Sequence, residues 1–336
     1  MKCKKVELLG MSEEKLVELC DGGFRPKLKF FWTTEVYGFG KYMRKYGYYP
    51  KFLPLAIFNE HGVGSLFVKP WHYELESLAP VMFYHSPDSV RIWNKFSNKP
   101  CYVLYSPFVF YRRSNKIIQN KKAVGTIVFP VHTIPSIGEI SDTQKYINQL
   151  KKLPKKFHPI SVCLHFQDVR IGRHKIYLKN NISVYTAGDN PNFFIERFYD
   201  ILKKFKYASS NQVSSCLFYA VEAGIPFFIH GSRPELINKS NPAVSLGRYN
   251  SYKGHKYYQM LHELFSDLEC RITKKKRKII ERNLGIYDGV SRKKMAYILY
   301  TSLFKLFLSR SFYKEFGRPG IRLLSKKIRN LLSVKE

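Results

Sequence analysis

Apolar residues in the second half of the chain fall into short unbroken runs, and the segments between them have helical spacing. GTIVFPVH (125–132), HPISVCLHF (158–166), NISVYTAG (181–188), YASS (207–210) and IPFFIHG (225–231) read as strands. Runs this continuous, bounded by turn residues, belong to strands buried on both faces. Three amphipathic stretches alternate with them. SDTQKYINQLKKL (141–153) is predicted to be capped by Ser141, NPNFFIERFYDILKKF (190–205) by Asn190 or Asn192, and SSCLFYAVEAG (214–224) ends at Gly224. Strand–helix alternation of this kind predicts a parallel sheet covered by helices, a Rossmann-like domain.

The first 120 residues are less regular. LKFFW (28–32), LPLAIF (53–58), VMFYH (81–85) and CYVLYSPFVFYR (101–112) read as buried strands. GFGKYMRKYGYY and SVRIWNKFS show helical spacing between them. Residues 253–336 read as helical throughout, with MAYILYTSLFKLFLSRSFYKEF (295–316) and IRLLSKKIRNLLSV (321–334) the clearest stretches. No internal repeat is present. The predicted division is an N-terminal domain (1–122), a Rossmann-like domain (123–252) and a basic helical C-terminal region (253–336) that packs back on both.

A length of 336 residues with 45% hydrophobic content supplies two cores, which excludes extensive disorder. Charge changes the picture further. Lys and Arg number 57 against 25 Asp and Glu, a formal net of +32. Such an excess repels itself in a compact state and implies an anionic partner: nucleic acid, anionic lipid or an anionic substrate. Residues 271–336 alone hold nineteen Lys/Arg against four Asp/Glu. In IRLLSKKIRNLLSV, Ile321, Leu324, Ile328, Leu331 and Leu332 recur at three- and four-residue spacing, with Arg322, Lys326, Lys327 and Arg329 between them. That pattern predicts an amphipathic helix with a basic face, suited to an anionic membrane surface. The six cysteines (Cys3, Cys20, Cys101, Cys163, Cys216, Cys270) show no metal-like spacing and read as reduced, buried thiols. No stretch has the length of a signal-peptide core or a membrane span. The expected location is cytoplasmic, peripheral on the inner face of the cell membrane.

In an open parallel sheet, ligands bind beyond the carboxyl ends of the strands. That rule selects His132, His165, Gly188 with Asp189, Ser209 with Ser210, and His230, each where an apolar run gives way to polar residues. Ser214 and Ser215 open a helix, where backbone N–H groups and the helix dipole suit a phosphate. His132 and His165 occupy equivalent positions on two strands and can donate to a phosphate or move a proton. In the first half, Glu60 follows LPLAIF in NEHGVG and is the first candidate for the base that activates an acceptor hydroxyl; Glu35 and His85 are the others.

The strand–helix order, Ser214-Ser215 and the phrase AVEAGIPFFIHG resemble the donor-binding half of glycosyltransferases of the GT-B fold. More narrowly, the layout resembles bacterial sialyltransferases and Kdo transferases of that fold, which use CMP-activated acidic sugars. Those sialyltransferases carry, in order, an acidic pair before Gly, a His-Pro and a Ser/Thr pair. This chain has Glu60-His61-Gly62, His165 at a strand end with a literal His158-Pro159 at that strand's start, and Ser214-Ser215. The resemblance implies two Rossmann-like domains with an interdomain cleft and C-terminal helices. It implies an N-terminal domain that binds the acceptor, with Glu60 as catalytic base, and a nucleotide sugar held by His165, Ser214 and Ser215; the strand-end rule adds His132 as a catalytic residue and Gly188, Asp189, Ser209 and Ser210 to the nucleotide-sugar site. The donor is a substrate, so no cofactor is expected. No D-x-D triplet occurs, in keeping with a metal-independent reaction. The acceptor would be a glycan or lipid-linked glycan in cell-surface polysaccharide or lipopolysaccharide synthesis. A UDP- or GDP-sugar transferase of the same fold, or a basic nucleic-acid-binding protein whose aromatics (16%) stack bases, are the rival readings. No nucleic-acid-binding signature supports the last.

Overall fold

The computed structural model of the chain describes residues 9–22, 32–63, 69–132, 137–139, 142–239 and 255–309. Helix α1 (Glu13–Leu19) is capped by Ser12 and followed later by α2 (Phe39–Tyr46). A parallel three-stranded sheet then forms from β1 (Phe58–Asn59), β2 (Met82–Tyr84) and β3 (Cys101–Val103), with α3 (His72–Glu76) and α4 (Pro87–Trp93) between the strands. Helix α5 (Pro107–Ser114) leads to the second half.

That half is built on β4 (Thr126–Val128), β6 (Ile160–Cys163), β7 (Ser183–Tyr185), β8 (Tyr207–Ser210) and β9 (Phe227–Ile229). They form one parallel sheet in the order β7-β6-β4-β8-β9. Its helices are α6 (Thr143–Lys151), α7 (Phe166–Arg170), α8 (His174–Lys179), α9 (Phe194–Leu202) and α10 (Ser215–Glu222). A side ribbon pairs β5 (Ile137–Glu139) with β10 (Leu236–Asn238) antiparallel. Helices α11 (Lys256–Leu264), α12 (Lys274–Asn283) and α13 (Arg292–Leu308) close the described chain. The architecture is α/β with two parallel sheets, as the apolar runs predict.

Local chemistry explains where the elements depart from expectation. CYVLYSPFVFYR is not one strand. Pro107 sits at the first helical position after Ser106, and its fixed φ starts α5 where the apolar run continues. Helix α6 is capped by Asp142, which accepts from Lys145 N, and the predicted cap Ser141 lies outside the described residues. Helix α9 begins after Phe193, with no side-chain cap; Asn190 instead accepts from Asn192 N in the turn before it. Of LKFFW, all but Trp32 falls outside the described residues, and Trp32 opens a 3-10 turn. Among the described cysteines all five are free thiols, but Cys101 and Cys216 are only partly buried.

One apolar core runs through both sheets. It joins Phe58, Met82 and Phe83 of the first to Ile127, Ala208 and Phe227 of the second, and takes in Leu261, Ile280, Met295 and Leu299 of the last helices. The halves are pinned by α5 against α10, where Phe108 stacks on Tyr219 at 4.1 Å. Beside that stack, fully buried Glu222 accepts from Arg112 Nε and Nη2 (both 2.6 Å) and from Arg113 Nε (2.9 Å). Helix α13 returns to the first half. Gly47 meets Met295 and Leu299, and Arg292 Nε donates to Tyr46 O at 2.9 Å.

Candidate functional site

Residues following β1, β4 and β6 come together where the two halves meet, and imidazoles gather there from both sides. From the second sheet, His132 follows β4 and His165 follows β6. Because β4 and β6 are neighbours in register, the two rings stack with centroids 4.3 Å apart. From the first half, His61 follows β1, and Tyr37 sits in a 3-10 turn just before α2. Their rings lie 5.2 Å apart. Tyr37 Oη and His165 Nε2 are 3.0 Å apart and join the two pairs into one chain of contacts.

His165 caps α7, and its Nδ1 accepts from Gln167 N at 3.3 Å. With Nδ1 an acceptor, the neutral ring carries its proton on Nε2 and donates to Tyr37 Oη. The Tyr37 hydroxyl proton is then left to point elsewhere in the cleft. Tyr37 itself has a left-handed backbone (φ 53°), a conformation that costs a non-glycine residue about 1 kcal/mol and is held here by the packing around it.

The imidazoles are tuned together. Burial drives the His165 pKa well below the ordinary value, and the neighbouring His132 and His61 push it further. Burial, with His132 adding to it, lowers His61 to about 4. His132 is lowered by burial too, although fully buried Asp168 opposes the shift. The His132 side chain is nonetheless exposed to solvent. Asp168 accepts from Arg173 Nη1 (3.0 Å), and the same nitrogen donates to Val131 O (3.2 Å), which fixes the backbone just before His132. Burial thus favours the neutral form of all three, which can accept a proton at one ring nitrogen and donate a hydrogen bond from the other.

Ser214 is the N-cap position of α10, and its hydroxyl makes no cap hydrogen bond. Ser215 Oγ accepts from Val63 N at 3.0 Å, so the β1 loop rests on the start of α10. Gly62 allows that approach, since a Cβ there would lie 2.9 Å from Ser215 Oγ. The cleft thus brings together His132, His165, Ser214 and Ser215 of the sequence-predicted residues, and adds Tyr37 and His61.

Other predicted residues go elsewhere. Glu60 has no exposure to the cleft. Its Oε1 faces His85, accepting from the backbone N–H and from Nδ1 at 2.6 Å, and His85 is equally buried. A sealed carboxylate cannot reach an acceptor hydroxyl directly, so its placement is that of a positioning group behind the His61 loop. Glu35 is engaged by Arg44 at 2.6 Å. Ser209 and Ser210 lie within β8, fully buried, and the first strand-end side chain is Asn211, whose Oδ1 accepts from Val131 N. Gly188 and Asp189 turn onto α1: Asp189 N donates to Leu19 O and its carboxylate pairs with Arg170 at 2.5 Å. Both are taken up by packing, not by the cleft. His230 Nε2 sits 3.3 Å from Gln149 O of α6, away from the imidazole cluster. Residues 321–334 lie outside the described residues. Among those described, no group of three or more His, Cys, Asp or Glu side chains is gathered as for a metal ion.

No protein-family model and no curated protein sequence matches this chain. Solved structures similar to it include the wall teichoic acid polymerase TagF, at 11% identity and TM-score 0.33, with 82% of this chain and 68% of that one covered. A second structure of TagF, soaked with CDPG, aligns at 11% identity and TM-score 0.32 over 68% of this chain. MnaA of S. aureus with UDP aligns at 13% identity and TM-score 0.37, covering 79% of this chain and 70% of that one. The chain spans 58% of the CDPG-soaked TagF chain. Superpositions this loose transfer no residue roles.

Proposed function

We propose that the cleft binds a nucleotide-activated sugar and transfers the sugar to a glycan or lipid-linked acceptor, with a CMP-linked acidic sugar as donor. The observation that carries the reading is the meeting of Tyr37 and His61 with His132, His165 and the Ser214-Ser215 helix start, at the facing carboxyl ends of two parallel sheets. The nucleotide phosphate sits at the start of α10, where the first backbone N–H groups and the helix dipole favour an anion, with the buried Ser214 hydroxyl beside them. The Tyr37 hydroxyl and a protonated His165 add donors as the ligand displaces the Tyr37–His165 contact. In this arrangement the phosphate charge is met by hydroxyls, imidazole and the helix dipole.

His132 is the proton-transfer group. It is neutral, reachable from solvent and supported by Asp168. As the bond between the anomeric carbon and the phosphate oxygen breaks, the nucleotide leaves with the electron pair. The acceptor oxygen bonds to the same carbon, and its proton passes to His132. Glu60 and His85 hold the β1 end in register behind His61 and act through position only.

The test is release of CMP from a CMP-linked acidic sugar. Replacing His132 by Gln lowers turnover about a hundredfold or more, the usual size of such a term, with CMP affinity kept within a few fold. Wild-type turnover in His132→Gln removes the proton-transfer role. Turnover with UDP- or GDP-sugars but not the CMP donor replaces the donor assignment while leaving the cleft in place.

A further inference from the structure

Helix α13 is apolar on two opposite faces. One face, with Met295, Ile298, Leu299, Leu303 and Leu306, is buried against the first half of the molecule. The other carries Tyr297, Tyr300, Phe304 and Leu308, at spacings of three and four residues, so they form one stripe along the helix. These side chains stand in solvent: Tyr297 is 62% exposed, Phe304 65% and Leu308 68%. The loop after α2 extends the patch. Tyr49 contacts Tyr300 at 4.9 Å, and its neighbours Tyr48 and Phe52 are exposed beside it. No helix among the described residues is long and apolar enough to cross a membrane.

The charges that α13 and the α2 segment contribute are of one sign. Lys293, Lys294 and Lys305 of α13 and Lys45 and Lys51 of the α2 side are all exposed. Neither Phe39–Leu53 nor Arg292–Leu308 contains a single Asp or Glu. Arg292 lies over the Tyr48 ring at 4.0 Å, so even the cation at the junction is held against an aromatic face.

We propose that this face of α13 with the α2 loop docks on an anionic lipid surface. Aromatic and aliphatic side chains on a convex helical ridge, bordered by lysines, match the boundary between headgroups and acyl chains. Each lysine near an anionic leaflet adds a small favourable increment that salt screens. A nucleic acid fits less well: its phosphates would satisfy the lysines, but the aliphatic Leu308 in the stripe offers a base no stacking surface. The inference stands on surface residues remote from the cleft chemistry and does not depend on which nucleotide the cleft takes.

The experiment is co-sedimentation of the full chain with vesicles of phosphatidylcholine alone and of phosphatidylcholine mixed with phosphatidylglycerol. Wild-type protein is expected to pellet with the anionic vesicles, to stay in solution with the neutral ones, and to be released as salt is raised. Tyr297→Ser/Phe304→Ser/Leu308→Ser removes the stripe without touching the core. It should melt at the wild-type temperature and partition at least tenfold more weakly. Lys293→Gln/Lys294→Gln/Lys305→Gln should lose the preference for anionic lipid. Equal binding by wild type and the serine variant overturns the proposal. So does absence of binding by wild type at low salt, or a stripe-dependent dimer in solution in place of vesicle binding, or single-stranded RNA displacing the protein from vesicles while the serine variant still binds RNA normally.

Discussion

Glu222 is the point at which a single substitution should separate the halves of the molecule. Its carboxylate is completely buried at the end of α10 and receives three N–H donors from α5. Arg112 is 15% exposed, so replacing Glu222 by Ala leaves its guanidinium between helices without an anion. Arg113 is 41% exposed and can turn to water, so its share is small. Removing one partner of a buried pair costs about 3–5 kcal/mol, mostly the uncompensated charge. The core is continuous across both sheets, so the loss should appear in one transition. At about 2–4 °C per kcal/mol, calibrated on domains of 150–250 residues, the melting temperature should fall by roughly 6–20 °C. Replacing Arg112 and Glu222 together by Leu should recover a good part of that, because no buried charge remains. Calorimetry on wild type, Glu222→Leu, Arg112→Leu and the double variant measures the coupling. A fall of under about 2 °C in Glu222→Ala, or strictly additive single effects, would refute the claim that this triad holds α10, and with it Ser214 and Ser215, in place.

Ser214→Ala/Ser215→Ala should weaken nucleotide binding by about one to a few kcal/mol in titration calorimetry, the worth of one or two charge-assisted hydrogen bonds. Unchanged affinity in the folded variant moves the phosphate elsewhere. Glu60→Gln should lower stability by about 1–3 kcal/mol through its lost partner contacts with His85, while CMP affinity stays within a few fold; a large affinity loss without destabilisation would make Glu60 a ligand-contacting group. The cleft histidines predict a pH effect of definite sign. Their folded pKa values lie below the unfolded value, so below about pH 6.5 the unfolded chain binds protons the folded chain refuses. Stability conferred by the empty cleft should therefore fall as pH drops from there toward the His61 value of about 4. A bound phosphate reverses the preference, and calorimetry in buffers of different ionisation enthalpy should show proton uptake on CMP binding, reduced in His61→Gln/His165→Gln. Equal uptake in that variant would show that the protons go to other groups.

The second sheet was legible because most of its strands lie in largely apolar runs, which strands buried on both faces tolerate, and the alternation with helices placed the short YASS among them. The positions of His132 and His165 followed from the same runs, since neighbouring parallel strands in register bring equivalent positions together. Side-chain direction was not legible. Glu60 and Gly188 both stand at strand ends, yet one points into the interior to meet His85 and the other faces α1. Ser209 and Ser210 looked terminal because YASS is short, but Ser209 still pairs with both neighbouring strands and Ser210 with β9. Tyr37 and His61 escaped for another reason. Tyr37 is held by a left-handed turn with no periodic pattern, and His61 belongs to the cleft only because Gly62 and Ser215 bring its loop against the opposite half. The strand–helix break inside CYVLYSPFVFYR was readable from Pro107, whose preference for a helix's first turn outweighs the apolar run around it.

The most direct test of a nucleotide-binding cleft is a thermal-shift panel with CMP, CDP, UDP, GDP and single-stranded RNA on the full chain. A ligand at a hundred times its Kd adds about 2.7 kcal/mol to folding. CMP or CDP should raise the melting temperature most, and Ser214→Ala/Ser215→Ala should abolish most of that rise. If no nucleotide moves the transition, or if RNA stabilises the chain while every mononucleotide leaves it unchanged, the cleft is not a donor site and the account fails.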